Sequence, residues 1–114
     1  MTRRLVQYNA ELAARRPDVW ARSKWICEAP LFAVDVAGSD ADLMALANDM
    51  INGCRLRATH VHHRKYRQRG GTNSLNNLLH VCEPCHSWIH AHGGFDQPAN
   101  RLRLALSAGE SEER

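Results

Sequence analysis

The sequence predicts a small α+β protein, built on a strand–loop–strand–helix unit and held together by metal. Three observations predict it. "ATHVHHR" and "LLHVC" are short strand-like runs that bracket a Gly-Gly turn. "EPCHSWIH" follows at once, with Pro84 suited to a first helical turn. Cys82 and Cys85 form a CxxC, too close for an easy disulfide and the usual pincer for one zinc ion.

The elements follow in order. Residues 4–25 read as a helix, with Leu5, Tyr8 and Leu12 at helical spacing. Pro17 is expected to end it, or to open a second short helix to Ser23. "APLFAVDVAG" (29–38) is apolar and partly β-branched and reads as a short strand. "SDADLMALANDMING" reads as a helix over about 39–52, with Ser39 or Asp40 as its cap and Gly53 as its stop. Leu43, Leu46, Ala47, Met50 and Ile51 form its buried stripe. "KYRQRGGTNSLNN" is a loop, and Ser74 can cap a short turn within it. The second strand is antiparallel to the first, and its helix runs to about His92, where Gly93-Gly94 ends it. The polar, acidic tail "SAGESEER" reads as loose.

With 114 residues, 44% of them apolar, the chain suits one small domain with a modest core, the size at which a staple helps. It has four cysteines and seven histidines. There is no membrane-length apolar run, and the N-terminus lacks the apolar core of a signal peptide, so a cytoplasmic, reducing setting is expected. That favours metal over disulfides. Net charge is only +3 but is unevenly spread. From Arg55 to Cys82 there is no acid, while Arg55, Arg57, Arg64, Lys65, Arg67 and Arg69 supply six positive charges. A solvated loop would explain a charge run alone; beside a metal site it favours a polyanion.

His86 and His90 stand one helical turn apart and can grip one ion together. An ideal strand turns His62 and His63 to opposite faces and places His60 with His62. Both members of the pair can serve one site only if the strand end is distorted or curls over the helix.

The stretch "THVHHRKYRQRGGTNSLNNLLHVCEPCHSWIH" resembles the HNH endonucleases of the ββα-metal (His-Me finger) type, especially the small HNH proteins of phage genomes. The likeness is close over residues 54–92, about a third of the chain, with Cys27-Glu28 as an outlying match. It implies a ββα-metal core with a four-cysteine zinc site, an N-terminal helix and an inserted helix. The chain then divides into an N-terminal helical segment (1–26), the zinc-stapled core (27–92) and a tail (93–114).

The resemblance also implies roles. His63 is the general base. His62, His86 and His90 hold a catalytic divalent ion, which could be Mg, Mn, Ni or Zn. Asn77 braces the loop and helps orient the base. Cys27, Cys54, Cys82 and Cys85 hold a structural zinc. The first two cysteines are usually close in this family, whereas here 26 residues part them, a folded insertion that loop-closure entropy tolerates. If Cys27 is not a ligand, His80 or a water completes the tetrahedron. His60, His80 and His92 read as surface or packing residues and the three tryptophans as packing residues, while Tyr66 can either pack or stack on a base.

Arg64, Lys65, Arg67 and Arg69 are placed to hold a DNA backbone, without reading sequence. The implied activity is metal-dependent hydrolysis of DNA, duplex DNA being the expected substrate, with weak sequence preference. Genome packaging with phage partner proteins, host-DNA degradation, homing and restriction stay open as tasks, the last two weakened because so short a chain, acting alone, has little room for a recognition domain. The alternative is a zinc-stapled nucleic-acid-binding module without catalysis, against which His63 and Asn77 argue. A purely structural interaction protein leaves the acid-free stretch unexplained. Nicking and double-strand cutting, and the oligomeric state, stay open.

Overall fold

The computed structural model describes residues 3–113. Their order is α1 (Arg3–Ser23), α2 (Ala29–Ala37), α3 (Ala41–Ile51), β1 (His60–His63), β2 (Leu78–Val81), α4 (Glu83–Ala91) and α5 (Pro98–Arg101). Two 3-10 turns, Arg67–Arg69 and Leu75–Asn77, lie in the loop of the hairpin. β1 and β2 pair antiparallel, with His60 opposite Val81, His62 opposite Leu79 and His63 opposite Leu78. α4 leaves β2 directly and packs back on β1, which completes a ββα unit.

Three local expectations are corrected. Residues 29–37 are helix α2, not a strand. Pro30 sits in its first turn, and Ala29, Ala33 and Ala37, spaced by four, are all buried. Their small side chains let α2 lie against α3. Pro17 neither ends nor restarts a helix, because α1 runs through it unbroken. An interior proline costs a helix about 3 kcal/mol in isolation. Here tertiary contacts hold α1 on both sides of it. The Tyr8 carbonyl accepts from Asn73 Nδ2 at 2.8 Å, and Arg22 donates to the Leu75 and Leu78 carbonyls at 2.9 and 2.6 Å.

The third correction is the C-terminal segment. Leu102, Leu104, Ala105 and Leu106 are fully buried. The Glu112 carboxylate accepts from Thr72 N, Thr72 Oγ1 and Ser74 Oγ, and Glu110 from Asn100 and Ser107. The acidic tail is therefore docked on the hairpin loop, because the loop offers donors that would otherwise face water.

α3 follows expectation. Asp40 caps it by accepting from Asp42 N and Leu43 N, and its apolar stripe meets the core. The insertion between Cys27 and Cys54 is α2 plus α3, which pack against one another. The hairpin loop turns at Gly70, where φ is +87°, and a Cβ on Gly71 would collide with the Lys65 carbonyl. A tight turn thus accounts for the glycine pair. No helix of the described residues is long and apolar enough to cross a membrane.

Arg64 departs most from expectation. It is 1% exposed and cannot lie along a DNA backbone in this structure. Nε donates to the Arg103 carbonyl, Nη1 to those of Asn76 and Glu112, and the guanidinium lies 4.7 Å from the Phe32 ring centroid. One side chain thus joins the hairpin, α2 and the C-terminal segment. Arg64→Ala should cost about 3 kcal/mol in urea unfolding, through stranded buried carbonyls. Arg64→Lys should recover less than half of this, since an ammonium lacks the planar fork.

Candidate functional site

The four cysteines converge although they come from three places in the chain. Their sulfurs all lie within 4.8 Å of one another. A tetrahedral zinc at about 2.3 Å from each sulfur holds sulfurs about 3.8 Å apart; the Cys54 and Cys82 sulfurs stand at 3.8 Å. Cys27 belongs to the cluster, and its neighbour Glu28 shows why. Glu28 N donates to the His80 carbonyl at 2.7 Å, and His80 N returns a bond to Glu28 Oε1 at 2.8 Å. The same carboxylate pairs with Arg22, with two contacts of 2.7 Å. This clip lays residue 27 beside the end of β2.

Backbone N–H groups of Arg55 and Leu56 point at the Cys82 and Cys54 sulfurs, each at 3.4 Å. Hydrogen bonds from Cys85 and from backbone groups, against the opposing effect of burial, draw the Cys27 thiol down to about 5. The thiolate facing Cys85, together with burial, pushes Cys85 up. The cluster is consistent with a structural zinc site. His80 takes no part in it, since its Nδ1 meets Ser23 Oγ at 2.7 Å.

A second cluster forms where β1 meets α4. His62, His86 and His90 bring one nitrogen each to within 4.8 Å of the others. His86 Nε2 and His90 Nε2 are only 2.9 Å apart. His62 is buried, and its Nε2–H donates to the Leu104 carbonyl at 2.7 Å, which leaves Nδ1 with the lone pair. His90 Nδ1 meets the Tyr66 hydroxyl at 3.1 Å, and the Tyr66 ring stacks on His90. That leaves His90 Nε2 turned to His86. Burial, then the charges of neighbouring imidazoles, lowers His62 to about 3. Burial, then His90 and His60, lowers His86 to about 4. Both are neutral at physiological pH, the ligand form of imidazole. Three imidazole nitrogens at this separation fit one divalent ion and leave coordination positions open. His60 stacks on His86 at 4.9 Å.

His63 stands on the opposite face of β1. Its ring stacks on Tyr8 at 5.8 Å, and its Nε2 lies 2.8 Å from Asn73 Oδ1. Asn73 Nδ2 already donates to the Tyr8 carbonyl, so Oδ1 accepts and His63 Nε2 carries the proton. Nδ1 is then the basic nitrogen. Asn77 does not make this contact. Fully buried, it clips the loop, accepting from Lys65 N and donating to the Lys65 and Thr72 carbonyls. The loop that Asn77 clips is the one that carries Asn73.

Asn73 and Tyr8 were not legible as site residues. They are 65 residues apart, and no local pattern joins them. Of the basic run, Arg67 and Arg69 are exposed. Arg67 lies over the Tyr8 ring at 5.6 Å and Arg69 over the Tyr66 ring at 5.2 Å, so one cation flanks each histidine group. Lys65 is half-buried, and its Nζ donates to the Glu110 carbonyl.

Residues 51–92 match the family model described as HNH endonuclease. No curated protein and no solved structure matches the chain.

Two outcomes are expected from this geometry. Purified protein should carry one tightly held zinc per chain, and Cys27→Ser should lose most of it, read by metal analysis and by a lower melting temperature. Stability should also fall with acid. His62 and His86 bind protons less readily folded than unfolded, where the ordinary value is 6.5. Their contribution is therefore complete above about pH 6.5 and declines as pH drops toward 3 to 4. Urea midpoints measured from pH 7 to pH 4 should fall, and fall less steeply in His62→Asn.

Proposed function

Taking the HNH endonuclease match of residues 51–92 as its premise, we propose that this chain is a metal-dependent endonuclease that hydrolyses phosphodiester bonds of DNA. The observation that carries the reading is the pairing at the end of β1: a three-imidazole cluster on one face and a histidine with a set tautomer on the next residue. A binding module has no need of the second.

The roles follow from the chemistry. A scissile phosphate lies beside the strand end, with Arg67 and Arg69 along its flanks and Lys65 as a weaker contributor. His63 Nδ1 takes the proton of the attacking water, and Asn73 holds the ring in the tautomer that leaves this nitrogen free. Tyr8 keeps the ring plane fixed by stacking. His62, His86 and His90 hold the divalent ion, with the Leu104 carbonyl and Tyr66 hydroxyl setting the ligand nitrogens of His62 and His90. When bound there, such an ion supplies positive charge to the phosphate and the leaving oxygen. Mg, Mn, Ni and Zn are candidates, and imidazole ligands favour the transition metals.

The described contacts to the substrate would be to its backbone, so weak sequence preference and use of duplex DNA are expected. A reducing, cytoplasmic setting suits four free cysteines gathered for zinc. Phage genome packaging or host-DNA degradation would suit such an enzyme, the former with packaging proteins as partners.

The test is nicking of supercoiled plasmid with each metal, beside a chelator control. Metal-dependent nicking should appear and drop by 10²-fold or more in folded His63→Ala. Asn73→Leu should lower kcat by about tenfold with little change in KM, and Asn73→Gln should recover part of it. Salt-sensitive DNA binding with no nicking under any metal would instead support the non-catalytic module.

A further inference from the structure

We propose that a cleft beside the N-terminal end of β1 is a second phosphate-binding subsite, which grips the DNA backbone a phosphate or two from the scissile bond. The inference rests on the nuclease reading above. The cleft is a cavity of about 580 Å³ whose lining includes Arg55, Arg57, Thr59, His60 and Glu83. Two guanidinium groups face one carboxylate there, so the lining is net positive.

Three features make this more than a solvated charge pair. First, the Arg55 and Arg57 side chains are exposed, and among the described residues they meet no hydrogen-bond, ion-pair or ring partner. Arg22, Arg64 and Arg103, by contrast, are all tied to carbonyls or carboxylates. Second, the backbone beneath them is held firmly. Arg55 N–H meets the Cys82 sulfur, Leu56 N–H the Cys54 sulfur, and Cys27 N donates to the Leu56 carbonyl. Leu56 takes a left-handed φ of +69° to make this wrap, and Arg57 bridges to Ile26. The sulfur cluster therefore presents both arginines from a fixed base.

Third, the cleft and the histidine cluster share a wall. His60 lines the cleft and stacks on His86 at 4.9 Å. β1 has four residues, so its ends are about 10 Å apart at about 3.3 Å per residue. A DNA strand places one phosphate about every 3.4 Å along the helix axis. Because the backbone also winds around that axis, its phosphates lie farther apart than this rise, and a strand whose scissile phosphate lies near His63 reaches the cleft about one or two phosphates away. Arg67 and Arg69 follow the strand, and Arg55 and Arg57 precede it, so the two pairs hold the backbone on both sides of the cut. A guanidinium fork suits a phosphate with two parallel hydrogen bonds.

The test compares Arg55→Ala/Arg57→Ala with Arg55→Lys/Arg57→Lys and with Arg101→Ala, an exposed arginine on α5 outside the cleft. Binding to a short duplex is followed by fluorescence anisotropy over a salt series, in the His63→Ala background to prevent cutting. Nicking is measured in the otherwise unaltered chain. The alanine pair should weaken binding about tenfold at low salt and flatten the log K against log salt slope by about two, near 0.9 per lost phosphate contact. The loss should fall on KM rather than kcat. The lysine pair should keep the slope, and Arg101→Ala should match its parent.

If the unaltered chain cuts DNA while the alanine pair keeps affinity and slope, the subsite is overturned and the nuclease stands. A loss confined to kcat, with the slope intact, overturns it as well. If the unaltered chain neither binds nor cuts DNA with any metal, the nuclease reading fails and the subsite with it. Zinc content is measured alongside. Should the alanine pair lose zinc, single Arg55→Gln and Arg57→Gln variants carry the same comparison, with half the slope change expected from each.

Discussion

The two-residue alternation of a β-strand governs the candidate site. Because successive side chains leave β1 on opposite faces, His62 and His63 must face different neighbours. His62 turns to α4 and joins His86 and His90; His63 turns to α1 and the hairpin loop. Adjacent positions thereby acquire different surroundings. One ring is buried among imidazoles and held neutral. The other is half-buried with a single amide partner. Both residues stand at the C-terminal end of the strand.

That alternation has meaning only while the hairpin and its neighbours stay in register, and several buried polar devices maintain this. Asn77 spends its amide on the loop backbone, Arg64 gathers three carbonyls from separated segments, and Arg22 with Glu28 pins α1 and the start of α2 to β2. A chain of this size has a small apolar core, and bonds of this kind help select one arrangement. The sulfur cluster does similar work at the other end of the ββα unit. It joins residues before the helical insertion to residues after it, so the insertion can be long without loosening the core.

The acidic C-terminal segment has a part in this as well. Its carboxylates engage Thr72, Ser74, Ser107 and Asn100, and its Glu110 and Glu112 carbonyls receive Lys65 and Arg64. Two of the four cations expected at DNA are thus drawn inward. The exposed positive charge near the histidines is left with Arg67 and Arg69 on one side and Arg55 and Arg57 on the other. The charge pattern of the chain is acid-free from Arg55 to Cys82, yet folding divides that run into structural and accessible members.

The sequence by itself determined the ββα unit, the capped helix α3, the CxxC pincer and the His86–His90 pair, because each is set by local spacing. Strand period, helix period, capping and chelate geometry all act within a few residues. It misread 29–37 as a strand, because a short apolar run suits a strand or a buried helix alike. It misjudged Pro17 and the C-terminal segment, whose conformations are held by partners far along the chain. Only the tertiary structure decided that Cys27 joins the other sulfurs, that Arg64 is a core tie, and that Asn73 rather than Asn77 touches His63. Each of those depends on segments 10 to 58 residues apart meeting through packing and buried hydrogen bonds, which no local pattern encodes.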